Sequence, residues 1–119
     1  MPGLRWGRLQ LDIDCNLRRG AWYRVLDVQG MEIVVDVNQR PLPVPRFAVE
    51  IVSTPPKRWT VVPSPRRQPR VPKEFMPRYG VCPNCRERAP LRGQVRTLRC
   101  DRCRGTYDVD WKENYLGSY

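Results

Sequence analysis

The chain of 119 residues carries 22 lysines and arginines against 12 aspartates and glutamates, a formal net charge of +10, and it contains no histidine. This length holds one modest domain plus a small metal-stabilised one, and no stretch approaches the roughly 20 apolar residues that span a bilayer. Without histidine the commonest general base is missing, and no Walker loop, G-x-S-x-G or G-x-G-x-x-G motif occurs. We therefore expect a non-catalytic, cytoplasmic protein with no membrane partner.

The first 52 residues alternate polar and apolar side chains in short stretches, which predicts β-strands separated by turns. Leu9 to Ile13 alternates in this way, Gln29-Gly30 predicts a tight hairpin, and a proline-marked step precedes a last strand within Val44 to Val52. Five short strands in this space resemble a small SH3-like β-barrel over residues 8–52. An oligonucleotide-binding type of barrel is the alternative. Such barrels occur in nucleic-acid-binding, peptide-binding and polymerase-binding proteins.

Residues 53–79 combine seven basic side chains and seven prolines with a single acid. This composition predicts an extended, polyproline-like connector rather than a helix or a central strand. An extended basic segment can follow a phosphate backbone and release its counterions, although a merely solvated linker has the same composition. Trp59 and Phe75 need a surface to pack on, which is either one of the domains or a nucleic-acid base.

Two identical cysteine pairs follow the connector. Cys82-Pro-Asn-Cys85 and Cys100-Asp-Arg-Cys103 are separated by fourteen residues, a spacing that places four thiolates around one zinc ion. The segment 80–119 is short and poor in apolar side chains, so metal binding would supply much of its folding free energy. The sequence therefore predicts one structural zinc ion held by Cys82, Cys85, Cys100 and Cys103.

Each knuckle is associated with an alternating stretch. Gln94 to Arg99 leads into the second knuckle, and Thr106 to Trp111 follows it. The order knuckle, strand, knuckle, strand resembles a zinc ribbon over residues 80–119. The resemblance implies a fold and a metal, but ribbons serve transcription factors, polymerase subunits, ribosomal proteins and enzyme appendages alike, so it does not imply one function.

Other chemistries for the cysteines are less well supported by the sequence. A site closed by four protein ligands leaves no position for water or substrate, which disfavours catalytic zinc. Rubredoxin-type iron knuckles usually have glycine directly after the second cysteine, where this chain has Arg86 and Arg104; a redox dithiol pair is the remaining alternative. Cys15 stands alone, and with no histidine to activate it we expect a small, partly buried side chain.

The predicted molecule is mostly β: an SH3-like barrel over 1–52, a basic connector over 53–79 and a zinc ribbon over 80–119. The charge distribution favours a nucleic-acid-binding accessory protein, of transcription or another nucleic-acid machine, acting on DNA or RNA. The alternative is a protein–protein adaptor that docks on RNA polymerase or the ribosome. The predicted nucleic-acid contacts are Arg58, Trp59, Arg66, Arg67, Arg70, Lys73, Arg78, Arg96, Arg99 and Arg102.

Overall fold

The computed structural model describes residues 3–13, 15–64 and 72–117. These residues form two compact units, Met1–Pro56 and Lys57–Tyr119, each built on one five-stranded sheet. The mostly β class predicted from the sequence is confirmed. Within the described part of the chain, no helix has the length and apolar character needed to cross a bilayer.

The strands are short, as the alternating stretches predict. They are β1 (Trp6–Leu9), β2 (Tyr23–Gln29), β3 (Glu32–Val37), β4 (Arg40–Pro45), β5 (Val49–Val52), β6 (Arg58–Pro63), β7 (Arg78–Val81), β8 (Arg88–Pro90), β9 (Thr97–Arg99) and β10 (Thr106–Asp110). Three 3-10 turns accompany them in the described residues, at Arg46–Ala48, Lys73–Phe75 and Tyr115–Gly117.

The first unit is an antiparallel sheet in the order β4-β3-β2-β1-β5, so the last strand returns beside the first. Its buried side includes Leu9, Ile33, Val35 and Val44. Gly7 pairs with β2 on one side and β5 on the other, and a Cβ there would lie 2.7 Å from Val49 Cγ1. A glycine at this position therefore allows the two neighbouring strands to close over the core.

Strand β4 forms an edge of this sheet and has a proline at every second position. Pro41, Pro43 and Pro45 lie opposite Asp36, Val34 and Glu32 of β3. Arg46 N donates to Met31 O, so these two residues form a hydrogen-bonded pair. Such pairs alternate with non-hydrogen-bonded pairs along an antiparallel ladder. The three prolines therefore occupy the positions whose backbone nitrogen faces away from β3. Proline is accepted there because no ladder hydrogen bond is lost.

Two details of the predicted strands are wrong in this unit. The first strand is Trp6–Leu9, while Leu11 and Ile13 lie outside it. The predicted last strand is two strands, β4 and β5, separated by the 3-10 turn Arg46–Ala48. Apolar side chains still recur at every second position through that turn, at Phe47, Val49 and Ile51, so periodicity alone does not reveal the break.

The second unit is a sheet in the order β8-β7-β6-β10-β9, with β6 at its centre. Strand β6 runs antiparallel to β7 and parallel to β10. Its buried cluster contains Trp59, Val61, Cys82, Cys100 and Val109, so the cysteines that open both knuckles belong to the core.

The extended connector predicted over residues 53–79 is wrong for two stretches of its described part. Arg58–Pro63 is the central strand β6. Strand β7, Arg78–Val81, crosses the predicted boundary between the connector and the ribbon. The prolines lie outside β6 or at its end, while Trp59-Thr60-Val61-Val62 supplies the β-branched and aromatic side chains that strands favour. The metal-binding unit therefore begins at Lys57 and not at Gly80.

Candidate metal centre

The four predicted ligand cysteines come together at one point of the second unit. The sulfur atoms of Cys82, Cys85, Cys100 and Cys103 all lie within 4.8 Å of one another. The Sγ atoms of Cys82 and Cys103 are 3.7 Å apart, and those of Cys85 and Cys100 are 3.4 Å apart. Tetrahedral coordination at a zinc–sulfur distance of 2.3 Å requires sulfur separations of about 3.8 Å. The donor set and its spacing fit one metal ion.

The two knuckles have the same backbone structure. In the first, Cys82 N donates to Glu87 O and Arg86 N donates to Cys82 O; in the second, Cys100 N donates to Gly105 O and Arg104 N donates to Cys100 O. Each knuckle is therefore a closed turn that presents two sulfurs on one side. In the folded unit these closed turns fix the positions of the sulfurs, so folding and metal binding stabilise the same arrangement.

Arg86 and Arg104 have φ values of 67° and 65°, the left-handed region that favours glycine. Both directly follow the second cysteine of a knuckle. Arginine thus adopts here the backbone conformation that glycine adopts at less cost. The missing glycine therefore does not change the shape of the knuckles, and it does not by itself disfavour iron. A tetrahedral four-thiolate site suits zinc or iron.

Burial sets the protonation of the thiols when no metal is bound. It raises the pKa of Cys82 and of Cys85, because a thiolate loses hydration in the core. The backbone N–H of Gly105 instead lowers the pKa of Cys103 to about 6. A metal ion must therefore displace protons from Cys82 and Cys85, while Cys103 already supplies a thiolate at neutral pH.

Tyr107 covers the second knuckle. Its hydroxyl would lie 2.2 Å from a Cβ added at Gly105, so only glycine leaves room for the ring. Burial, followed by the negative charge of Cys103, raises the pKa of Tyr107. Tyr107 belongs to the alternating stretch from Thr106 to Trp111, but nothing in that spacing indicated that its side chain would reach the metal centre.

The nine basic residues among the predicted nucleic-acid contacts separate into three groups. Arg58, Lys73, Arg96, Arg99 and Arg102 are exposed. Arg78 is half-buried, with its guanidinium carbon 4.9 Å from the centre of the Trp111 ring. Arg66, Arg67 and Arg70 lie outside the described residues.

Trp59 cannot act as the stacking side chain that the sequence suggested. It is fully buried, and its indole N–H donates to Leu98 O at 2.8 Å. Phe75 likewise packs within the second unit, edge-on to Tyr79 with ring centres 6.0 Å apart. Both aromatic side chains use the protein itself as the surface that they require.

One cleft brings predicted and unpredicted polar residues together. It has a volume of about 640 Å³ and lies where β9, β10 and the start of β6 meet. Arg58 and Arg96 line it with Lys112, and Asp108 and Asp110 add carboxylates on the same walls. Arg58 and Asp110 approach to 4.0 Å. Lys112 was missed in the sequence because it follows the last ribbon strand and belongs to no basic run.

No protein-family model matches the chain, and neither the curated proteins nor the solved structures gave a significant match. The class of the molecule therefore rests on its own geometry: a mostly β protein with a four-cysteine metal centre.

Proposed function

We propose that the chain holds one structural zinc ion and binds nucleic acid through the basic surface of its second unit. In this proposal it is a non-catalytic, cytoplasmic accessory of transcription or of another nucleic-acid machine. Four cysteine ligands close the metal site, so the ion stabilises the fold and leaves no position for a reacting water. Zinc is favoured over iron because it has no redox chemistry to control and is the usual ion of paired knuckles.

The observation that carries the nucleic-acid proposal is the number of exposed cations on the second unit. The exposed basic residues described in this unit are Lys57, Arg58, Lys73, Arg88, Arg92, Arg96, Arg99, Arg102, Arg104 and Lys112. In contrast, residues 1–52 carry seven basic and six acidic side chains and are nearly neutral. Clustered cations bind phosphate backbones because each contact releases condensed counterions.

The cleft supports the same proposal at closer range. Arg58, Arg96 and Lys112 converge on a volume of about 640 Å³, a size that admits a nucleotide-sized group. Asp108 and Asp110 line the same cleft, so three cations against two carboxylates leave it a net positive charge. Phosphate contacts of this kind position a nucleic acid without reading its sequence, and the described residues of the unit include no helix suited to the major groove. We therefore propose binding with little sequence preference.

Salt dependence of binding tests the proposal. Affinity for a labelled DNA duplex and for an RNA single strand should fall with a log–log slope of roughly −3 to −5, given four to six phosphate contacts at about −0.7 to −0.9 each. Replacing Arg58, Arg96 and Lys112 together by Gln should reduce that slope by about two to three units for all sequences alike. Arg66→Ala with Arg67→Ala and Arg70→Ala tests the predicted connector contacts in the same way.

The charge-matched control removes three exposed or half-buried arginines from the nearly neutral first unit, Arg5→Gln, Arg24→Gln and Arg40→Gln. This variant should retain most of the wild-type slope. Equal losses in the two variants would mean that net charge alone governs binding, and no salt-dependent binding by the wild type would end the proposal.

A protein–protein adaptor remains the second candidate because of an apolar patch on the first unit. Leu11, Met31 and Phe47 are exposed. Backbone hydrogen bonds bring them together: Gln10 N donates to Ala48 O, and Arg46 N donates to Met31 O. Exposed apolar patches often mark protein interfaces. Capture of RNA polymerase or the ribosome from a lysate after nuclease treatment, and its loss in Phe47→Ser, would favour the adaptor.

A further inference from the structure

The two knuckles share one backbone structure but differ in the side chains around their sulfur atoms. The first residue of each knuckle, Cys82 or Cys100, donates its N–H to the carbonyl five positions on and accepts from the N–H four positions on. Cys85 of the first knuckle therefore corresponds to Cys103 of the second. A difference in hydrogen bonding between these two sulfurs has to come from side chains.

Cys85 and Cys103 are the ligands that solvent reaches. Both are half-buried, whereas Cys82 and Cys100 are buried in the core of the unit. Each half-buried sulfur accepts a hydrogen bond from the backbone N–H two residues further along the chain. The two sulfurs therefore have the same backbone environment, and a reagent from solvent meets them before it meets the buried pair.

Cys103 accepts hydrogen bonds from two side chains in addition to the backbone. The side-chain amide of Asn84 and the hydroxyl of Tyr107 are both hydrogen-bonded to it. A thiolate has no proton to give, so Asn84 and Tyr107 are the donors. The contact with Tyr107 depends on Gly105, because a Cβ at that position would lie 2.2 Å from the hydroxyl oxygen. Backbone, amide and hydroxyl donors thus surround one sulfur atom.

The first knuckle has other side chains at the positions of these two donors. Ala89 corresponds to Tyr107 and has no polar side-chain atom. Arg102 of the second knuckle corresponds to Asn84, and its guanidinium nitrogen lies 3.6 Å from a glutamate oxygen instead. Among the described residues, the side-chain hydrogen bonds of Cys85 are with other cysteines alone. The metal centre is therefore asymmetric in the support that its two half-buried sulfurs receive.

Hydrogen bonds to a metal-bound sulfur reduce its nucleophilicity, because they withdraw electron density from the lone pairs that attack a reagent. Such partners also fix the orientation of a ligand, and their loss weakens metal binding by roughly tenfold to a hundredfold. We propose that Tyr107 and Asn84 hold Cys103 on the metal, so that Cys85 is the sulfur where thiol-reactive electrophiles open the site. Tyr107 acts through Cys103 and is a positioning residue. The inference rests on the proposed metal ion and is independent of nucleic-acid binding.

Alkylation of the zinc-loaded protein by N-ethylmaleimide tests the order of attack. The sulfur adds to an alkene carbon of the reagent, its bond to the metal breaks, and water protonates the neighbouring carbon. Mass spectrometry of molecules that have been alkylated once identifies the first sulfur to react. In the wild type this should be Cys85, roughly tenfold more often than Cys103.

Tyr107→Phe removes the hydroxyl and retains the ring. It should raise first alkylation at Cys103 roughly tenfold and leave that at Cys85 unchanged. In the cobalt-loaded variant the sulfur-to-cobalt charge-transfer band should shift to lower energy, because the sulfur orbitals lose a stabilising donor. Gly105→Ala is a second variant: this glycine does not have a positive φ, so alanine costs little in the backbone but displaces the Tyr107 hydroxyl. It should also move first alkylation towards Cys103.

The matched control is Tyr79→Phe, which removes a hydroxyl from a buried tyrosine of strand β7. It should change neither the site of first alkylation nor the cobalt band. Equal alkylation of Cys85 and Cys103 in the wild type overturns the inference. An equal increase at both sulfurs in Tyr107→Phe also overturns it, since that would indicate lost packing. Nucleic-acid binding without salt dependence would end the proposed function and leave this inference intact, whereas a wild type without bound metal would end the inference and the zinc site together.

Discussion

Trp59 connects strand β6 to the metal centre by packing and by one hydrogen bond. Its ring lies in the cluster that contains Cys82 and Cys100, and its indole N–H donates to Leu98 O. Gly80 on the neighbouring strand makes room for it, since a Cβ there would lie 3.1 Å from Trp59 Cε3. The Trp59 side chain thus packs the central strand of the sheet against the first cysteine of each knuckle.

Replacing Trp59 should therefore affect stability first. Trp59→Ala should lower the free energy of unfolding of the zinc-bound unit by about 3–5 kcal/mol, the usual cost of emptying a large aromatic site. Trp59→Phe is the matched control: it retains the ring but loses the bond to Leu98 O, and should cost less. A urea titration monitored through the release of zinc measures the free energy of unfolding of both variants. If Trp59→Ala left the stability unchanged but weakened the binding of single-stranded nucleic acid, the predicted stacking of Trp59 on a base would be supported instead.

The raised pKa values of Cys82 and Cys85 lead to a prediction about protons. Both thiols are protonated at neutral pH without metal, in the folded unit because of burial and in the unfolded chain because a free thiol has a pKa of about 8.5. Cys103, with a pKa of about 6, is mostly ionised only where the fold holds it beside the Gly105 N–H. Zinc requires thiolates, so binding at pH 7 should release at least the two protons of Cys82 and Cys85, and zinc affinity should rise with pH. Calorimetry in buffers of different ionisation enthalpy counts these protons. Release of fewer than two protons would contradict the protonated state of these thiols.

At the scale of the element, β6 decides where the metal-binding unit begins. It lies between β7 and β10 in the sheet, and its backbone pairs with both. A ribbon that lacks β6 would expose Val109 and both core cysteines on one side. The two knuckles alone therefore lack the strand that buries their apolar face.

Truncation tests this boundary. A fragment of residues 57–119 should bind one zinc ion and give dispersed NMR peaks, whereas a fragment of 80–119 should bind zinc more weakly and remain poorly folded. The reason is the loss of the Trp59 and Val61 side chains from the core. Equal zinc affinity and equal peak dispersion in the two fragments would show that the ribbon does not need β6.

The same elements show what the sequence could and could not predict. The cysteine spacing predicted the ligand set, and the alternation from Thr106 predicted β10, because both are local patterns. The role of β6 was missed because a parallel pairing with β10 joins residues about fifty positions apart, and because the surrounding prolines suggested a connector. The left-handed arginines could not be predicted, since the sequence at those positions lacks the glycine that usually signals such a turn.

At the scale of the whole molecule, two units each have their own sheet and their own buried cluster. The first contains Leu9, Ile33, Val35 and Val49, and none of the metal ligands. The second includes Cys82 and Cys100 within its core, so its packing and its metal site are a single structure. Removal of the metal should therefore act on one unit only.

Chelation of the metal tests this separation. A strong chelator, or Cys82→Ser, should abolish the dispersed NMR peaks of residues 57–117 and preserve those of the first unit. Structural zinc contributes on the order of 10 kcal/mol to small modules, more than the short strands of this unit can replace. Cys15→Ser is the control and should leave the zinc content at one per chain. Loss of both sets of peaks in one cooperative step would contradict two independent units.

The prolines of β4 have a consequence for self-association. Pro41, Pro43 and Pro45 leave that edge of the first sheet without an N–H donor at three successive outward positions. A second molecule cannot extend the sheet from this side, because a new strand would find only carbonyl groups at those positions. Any strand pairing between copies of this sheet would have to use β5, at the other edge. Growth through one edge only ends at a dimer, so this sheet cannot propagate into a fibril by edge pairing.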